Sequence, residues 1–257
     1  VLYVSPRPTA EAIGAFYSAT GHYAHWDDEP GRAAMWRRRT DRVRKLSPRG
    51  GRLLDVGTGQ GDFGAAARKH FDFEGTEISS EGARLARERH GLRVHEGELL
   101  ALDLPRGAYD AITLWHVLEH LADPRATIAR CAELLKPGGV VCVAVPNTDE
   151  ELVLRKAMLR AARDFALKQK PDRSIRFPRI TLDGRTEEIH LTHFTLRTLT
   201  WLLRSLGLEI VERGIDDFSP ELGLRARLRH HELALKFAWT GLASAPCIFA
   251  AAKKPHG

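Results

Sequence analysis

The chain has 257 residues, 43% hydrophobic and 28% charged, which suits one domain with a cap or short appendage and argues against wholesale disorder. Its three cysteines, Cys131, Cys142 and Cys247, include no C-x-x-C pair, so no disulfide framework and a reducing compartment are expected. The net charge of +6 sits in one segment: residues 151–180 carry nine basic and three acidic side chains, and the remainder holds thirty of each sign. That concentration speaks against a whole-protein nucleic-acid binder.

The opening "VLYVSPRPTA" has no apolar run of the signal-peptide kind, and a cytoplasmic protein is expected. An aromatic-rich stretch at 15–26 contains Tyr17, Tyr23 and Trp26; it reads as packing or as a cap over a ligand. From Gly51 the pattern alternates. "RLLDVG" (52–57) is a strand, "DFGAAARKH" (62–70) a helix, and "FDFEGTEIS" (71–79) a strand. A helix (79–91) follows, with a serine cap and a closing glycine. Strands are expected at 92–97 and 109–116. A helix at 123–139 starts on Asp-Pro and stops on Pro-Gly-Gly, and a fifth strand covers 140–147. Helices are expected at 151–169 and 195–207, with late strands at 208–215 and 247–254. Cys142, inside the apolar "GGVVCVAVP", reads as a buried thiol.

Near-continuous Val, Leu and Ile strands alternating with helices predict an α/β fold, doubly wound around a mostly parallel sheet. Ligands in such sheets lie beyond the carboxyl ends of the strands. That puts residues 57–62, 77–80, 97–100 and 115–121 at one crevice.

"LLDVGTGQGDFG" carries two overlapping motifs. Gly59-x-Gly61-x-x-Gly64 with Glu77 downstream matches a dinucleotide fingerprint, which leaves an NAD-dependent oxidoreductase as an alternative. Asp55-x-Gly57-x-Gly59-x-Gly61 instead places a carboxylate before the glycines, where it would repel phosphate and attract an ammonium group. A ligand with an ammonium at one end and a ribose at the other fits both Asp55 and Glu77; S-adenosylmethionine (SAM) is such a ligand.

His116-Val117-Leu118-Glu119-His120 has the H-x-x-E-H form of some zinc proteases. Those need both histidines on one helical face, whereas His116 here ends an apolar strand and helix signals begin only at Asp123. The protease reading is rejected.

The motifs "LLDVGTGQG", "EGTEIS", "HEGELLALDLP", "YDAITLWHVLEHLADP" and "LLKPGGVVCVAVPN" occur in that order. Together they resemble class I SAM-dependent methyltransferases, in particular the small-molecule enzymes similar to the ubiquinone-biosynthesis O-methyltransferase. The resemblance implies a Rossmann-like seven-stranded sheet with a helical cap. It also implies SAM as cofactor, with S-adenosylhomocysteine as product. Carried over, Gly57, Gly59 and Gly61 approach the methionine and ribose, Glu77 binds the ribose hydroxyls, and Gly97, Glu98 and Leu99 frame the adenine with Ile78. Glu98 stands where the family has Asp. Trp115, His116 and Tyr23 lie beside the cofactor.

Glu119, His120, His190 and His193 are the candidate reaction-centre residues, with three readings open. A histidine is a general base, or His and Glu bind a divalent ion, or these groups only fix the loop.

The expected organisation is an N-terminal helical cap (1–48), a SAM-binding core (49–147), a basic insert acting as substrate lid (148–190), and completion of the core (191–257). The basic segment 151–180 suggests an anionic small-molecule substrate or a peripheral membrane contact; nucleic acid is disfavoured.

Overall fold

The strands at 52–56, 109–115, 140–145 and 247–252 are buried on both sides, and this determines the layers that follow. The computed structural model describes residues 2–3, 31–148, 159, 163–167, 189–216, 224–241 and 243–256. Tyr23 with the rest of 15–26, and most of the insert 151–187, lie outside the described residues. Within the insert, Leu159 and 163–166 are helical.

In chain order the elements are β1 (Leu2–Tyr3), α1 (Arg32–Leu46), β2 (Arg52–Val56), α2 (Asp62–Ala67), β3 (Asp72–Glu77), α3 (Ser80–His90), β4 (Arg93–Glu96) and β5 (Tyr109–Trp115). A 3-10 turn (Leu118–His120) and α4 (Pro124–Leu134) precede β6 (Leu135–Pro146) and β7 (Thr192–His193). The chain then forms α5 (Leu196–Arg204), β8 (Glu209–Ile215), α6 (Leu224–Thr240) and β9 (Cys247–Lys253).

Seven strands form one sheet in the order β4-β3-β2-β5-β6-β9-β8. Only β9 runs against its neighbours, pairing antiparallel with β6 and β8. The order reverses between β2 and β5, which creates the topological switch point at their carboxyl ends. Leu53 and Leu54, Ala111 and Ile112, and Cys142 and Val143 send alternate side chains to two separate cores. A period of two with both faces covered explains why these strands read as unbroken apolar runs. One core packs Ile128 of α4 and Leu199 of α5. The other packs Val43 of α1, Phe63 of α2 and Ala86 of α3.

The helix boundaries follow local chemistry. Ser79 caps α3 by accepting from the Gly82 amide, and Gly91 closes it at φ 59°. Asp123 caps α4 with Pro124 in its first turn, and Thr195 and Thr198 form a reciprocal capping box on α5. Each such cap stabilises its helix by about 1 kcal/mol.

The structure departs from the sequence-based elements in four places. The helix expected at 123–139 ends at Leu134, and Leu135 already pairs with Tyr109 in the sheet. Pro137 disfavours helical geometry at Lys136, so Lys136–Gly139 bulges out between two registers of the β5–β6 ladder. The helix expected at 62–70 stops at Ala67. Helix α6 had no counterpart in the sequence reading, because its basic residues interrupt any single apolar stripe. The ladder joining β1 to β7 is two residues long, too short to show a period.

Candidate functional site

At the end of β2 the chain must turn sharply while staying close to β5. Gly57 does this at φ 69°; a Cβ there would come within 2.6 Å of the Val117 side chain. The glycine loop and the loop after β5 are therefore in direct contact. Gly61, at φ 92°, starts α2 and leaves no room for a Cβ beside Leu92 and Ala86.

Glu77 ends β3 and is 5% exposed. One carboxylate oxygen accepts the Gly59 amide at 2.7 Å, and the other accepts the Ser79 amide at 2.9 Å. Two backbone donors thus fix its direction. Gly97 donates to the Glu77 carbonyl at 2.8 Å, which ties the third loop to the same point.

Asp55 differs from the sequence-based picture of a charged group at the crevice. It is 2% exposed and accepts from the Thr113 hydroxyl at 2.6 Å. Burial pushes its pKa up to about 7. The carboxyl is poised between its two states, and a nearby ammonium would favour the ionised one.

Around the expected adenine position, Ile78 is 45% exposed and Glu98 lies on the surface, but Leu99 turns into the core at 4%. Its neighbour Leu100, 42% exposed, is the apolar side chain on that loop that faces outward. The Trp115 ring is likewise in the core, packed against Phe63 and stacked on Phe249.

The loop after β5 opens on His116, the only non-glycine with positive φ (56°) among the described residues. That conformation costs an L-residue roughly 1–2 kcal/mol. Its amide donates to Ala144 at 2.9 Å. Nε2 lies 3.0 Å from Arg39 Nη2 and 3.5 Å from Asp216 Oδ2, and Nδ1 lies 3.7 Å from Glu119 Oε1. Burial pushes the His116 pKa down, but Asp216 and Glu119 outweigh it and hold the ring above its usual value. Burial likewise raises that of Glu119, and His116 and His120 bring it below the ordinary carboxylate range.

Glu119 is 2% exposed, and neither of its oxygens has a hydrogen-bond partner among the described residues. Its own carbonyl accepts the Leu191 amide at 2.8 Å, which straps 189–194 over the turn. The strap is held further by β1, whose Leu2 pairs with His193, and by Thr148, which donates to the Phe194 carbonyl. His120 Nδ1 sits 2.7 Å from the Ile189 carbonyl. A carbonyl only accepts, so Nδ1 carries a proton, and Nε2 is the basic nitrogen of the neutral ring.

The His190 ring lies 4.9 Å from that of His120, and His193 lies 6.4 Å beyond His190. Burial, with His190 nearby, lowers the pKa of His193. One ligand atom each from Glu119, His120 and His190 lies within 4.8 Å of the others. The four expected reaction-centre residues are thus brought together from two segments 70 residues apart.

Arg39 and Asp216 escaped the sequence reading. Arg39 sits in "RRR" and Asp216 in "DD", both of which look solvated. A usable signal existed for the first: Met35, Arg39 and Val43 recur every four residues, and all three are buried.

The seven-stranded sheet with β9 antiparallel between β6 and β8, the glycine turn at the switch point and the acidic residue ending the next strand match what the resemblance to Rossmann-like methyltransferases implies, a class whose cofactor is SAM. A family model described as "Methyltransferase domain" matches residues 24–213, well over half of the chain, and the protein belongs to that family. The ubiquinone biosynthesis O-methyltransferase of Xanthomonas axonopodis pv. citri is 38% identical over 112 residues, which is 40% of this chain and 46% of that protein. The chain thus aligns with about half the length of the curated relatives it matches. Among solved structures, the Burkholderia thailandensis 1,6-didemethyltoxoflavin-N1-methyltransferase, with S-adenosylhomocysteine bound, has a TM-score of 0.62 at 17% identity, covering 98% of this chain and 94% of that one. A SAM-dependent methyltransferase from Archaeoglobus fulgidus has 0.58 at 16%, covering 90% and 100%. At these identities the likeness is one of fold.

Proposed function

We propose that the protein transfers the methyl group of SAM to a hydroxyl oxygen of a small molecule. The observation that carries this is the gathering of Glu119 and His120, on the loop that touches the glycine turn at Gly57 through Val117, with His190 of the strap packed over that loop. SAM is already activated, so the protein's task is in-line positioning, exclusion of water and removal of the acceptor's proton. His120 Nε2 takes that proton. The hydroxyl oxygen attacks the methyl carbon as the carbon–sulfur bond breaks, and its electron pair passes to sulfur, giving S-adenosylhomocysteine. The partial similarity to ubiquinone-biosynthesis O-methyltransferases supports oxygen as the acceptor atom, and the surplus of basic residues in 151–180 supports an anionic acceptor.

A second reading is favoured by the unsatisfied oxygens of Glu119. Two imidazoles and a carboxylate form a donor set suited to zinc-like divalent ions. An ion held there would lower the pKa of the acceptor hydroxyl; Glu119, His120 and His190 would be its ligands.

Incubation with SAM and a panel of phenols, catechols and hydroxy acids, read as S-adenosylhomocysteine formed, tests the proposal. Methylation of amines alone would overturn the oxygen assignment. Affinity for NAD with none for S-adenosylhomocysteine would overturn the whole reading.

A further inference from the structure

Arg39 and Asp216 have no part in the reaction as written, yet their side chains are 3% and 1% exposed and in direct contact. The Arg39 guanidinium is held against two indole rings, 4.9 Å from the centroid of Trp36 and 4.7 Å from that of Trp115. Asp216 follows β8, and its amide donates to the Cys247 carbonyl at the start of β9. The pair is therefore anchored in the sheet and in α1. From this anchor the contacts run outward to His116 Nε2, and from His116 Nδ1 to Glu119.

Two observations argue that this chain of contacts does more than close the core. First, a residue at φ 56° would sit with least strain if it were glycine or asparagine. A histidine there is held by what its ring touches. Second, both Glu119 oxygens lack a hydrogen bond among the described residues, and the imidazole nitrogens beside them are His116 Nδ1 at 3.7 Å and His120 Nε2 at 3.8 Å. The direction of that carboxylate thus depends on rings that other groups hold in place.

We propose that Arg39 and Asp216 are positioning residues: acting through His116, they fix the Glu119 carboxylate beside His120 and His190. The proposal rests on the methyltransferase reading of the crevice. Buried ion pairs suit such a role, since they add little net stability but hold a geometry strictly.

Long-range proton–nitrogen correlation of the histidine rings in the full-length protein, at one fixed pH, tests it without knowledge of the acceptor. Asp216→Asn should move the ring-nitrogen signals of His116 and, through it, of His120 and His190. His95, paired with Glu74 on the distant edge strand, should stay in place. Asp216→Glu should bring the moved signals back towards their original positions. Should Asp216→Asn not fold, the doubly neutral Arg39→Met with Asp216→Leu, and separately His116→Asn, should produce the same displacement at His120. Signals of His120 and His190 that stay put while that of His116 moves, or is lost, would overturn the proposal. Isothermal titration of the wild type with S-adenosylhomocysteine is the separate arm: absent binding there would overturn the reading of the crevice and leave the coupling between rings to stand or fall on the spectra.

Discussion

Arg39 of α1 meets Asp216 after β8 across 177 residues of chain, with both side chains buried. Burial pushes the Asp216 pKa up, but Arg39 and His116 pull it far below the ordinary carboxylate range. Removing one partner leaves the other charge buried and uncompensated. Arg39→Met alone should therefore destabilise the fold by about 3–5 kcal/mol, whereas Arg39→Met with Asp216→Leu should recover most of that loss. Urea denaturation measures both; equal losses in the single and double variants would contradict this account of the pair.

Glu77 receives the backbone amides of Gly59 and Ser79, and the resemblance to methyltransferases implies that it binds the ribose hydroxyls. With two charge-assisted hydrogen bonds at stake, Glu77→Ala should weaken S-adenosylhomocysteine binding by about 100-fold or more. Calorimetric titration reads this directly, and an unchanged affinity would remove Glu77 from the cofactor site.

Asp55, with its pKa pushed up to about 7 by burial, should make cofactor binding depend on pH. A cationic ammonium lowers that pKa, so binding releases a proton wherever the free carboxyl is protonated. Affinity for SAM should hold above about pH 7 and fall by up to about tenfold per unit below it. Asp55→Asn should flatten the profile and weaken binding. The sign for stability is opposite: the folded state prefers the neutral form, so the native Asp55 costs stability as pH rises from its unfolded value through about 7, and the amide avoids this cost. Thermal melts above neutrality should show Asp55→Asn at or above the wild type.

The base and metal readings separate on chelation. If His120 takes the proton unaided, His120→Ala should lower turnover by about 10²–10⁴-fold while leaving S-adenosylhomocysteine affinity intact, and a chelator should have no effect. If Glu119, His120 and His190 hold an ion, chelation should abolish activity and added zinc or another divalent ion should restore it. Full turnover in both His120→Ala and His193→Ala would dismiss the base.

The basic segment 151–180 predicts affinity for anionic surfaces. Sedimentation with phosphatidylglycerol vesicles should carry the protein down, with phosphatidylcholine vesicles leaving it in solution, and binding should weaken as salt rises. Equal binding to both vesicle types would rule out a charge-driven contact. No helix among the described residues is long and apolar enough to cross a membrane.

Much of the site was legible because local rules write it. Gly57 and Gly61 stand where a left-handed turn and close packing tolerate no side chain, Ser79 and Asp123 mark helix starts, and Glu77 ends a strand of recognisable pattern. Leu99 and Leu100 show the limit. Both are apolar neighbours in a loop, and only the packing of Leu99 into the core below β5 decides which of them faces out. The Trp115 ring packs against Phe63 and Phe249, and the end of a strand does not reveal which layer its ring will join.

The sequence by itself determined the sheet, the glycine turn and the set of histidines, since each rests on periodicity or on backbone limits that act over a few residues. Only the tertiary structure decided which charges are buried and whom they face. Arg39 looks no different from Arg37 and Arg38 until α1 packs on the sheet, and Asp216 reads as a solvated charge until β8 joins β9. Electrostatic partnership depends on distance through space and on exclusion of water, and neither is written in chain order.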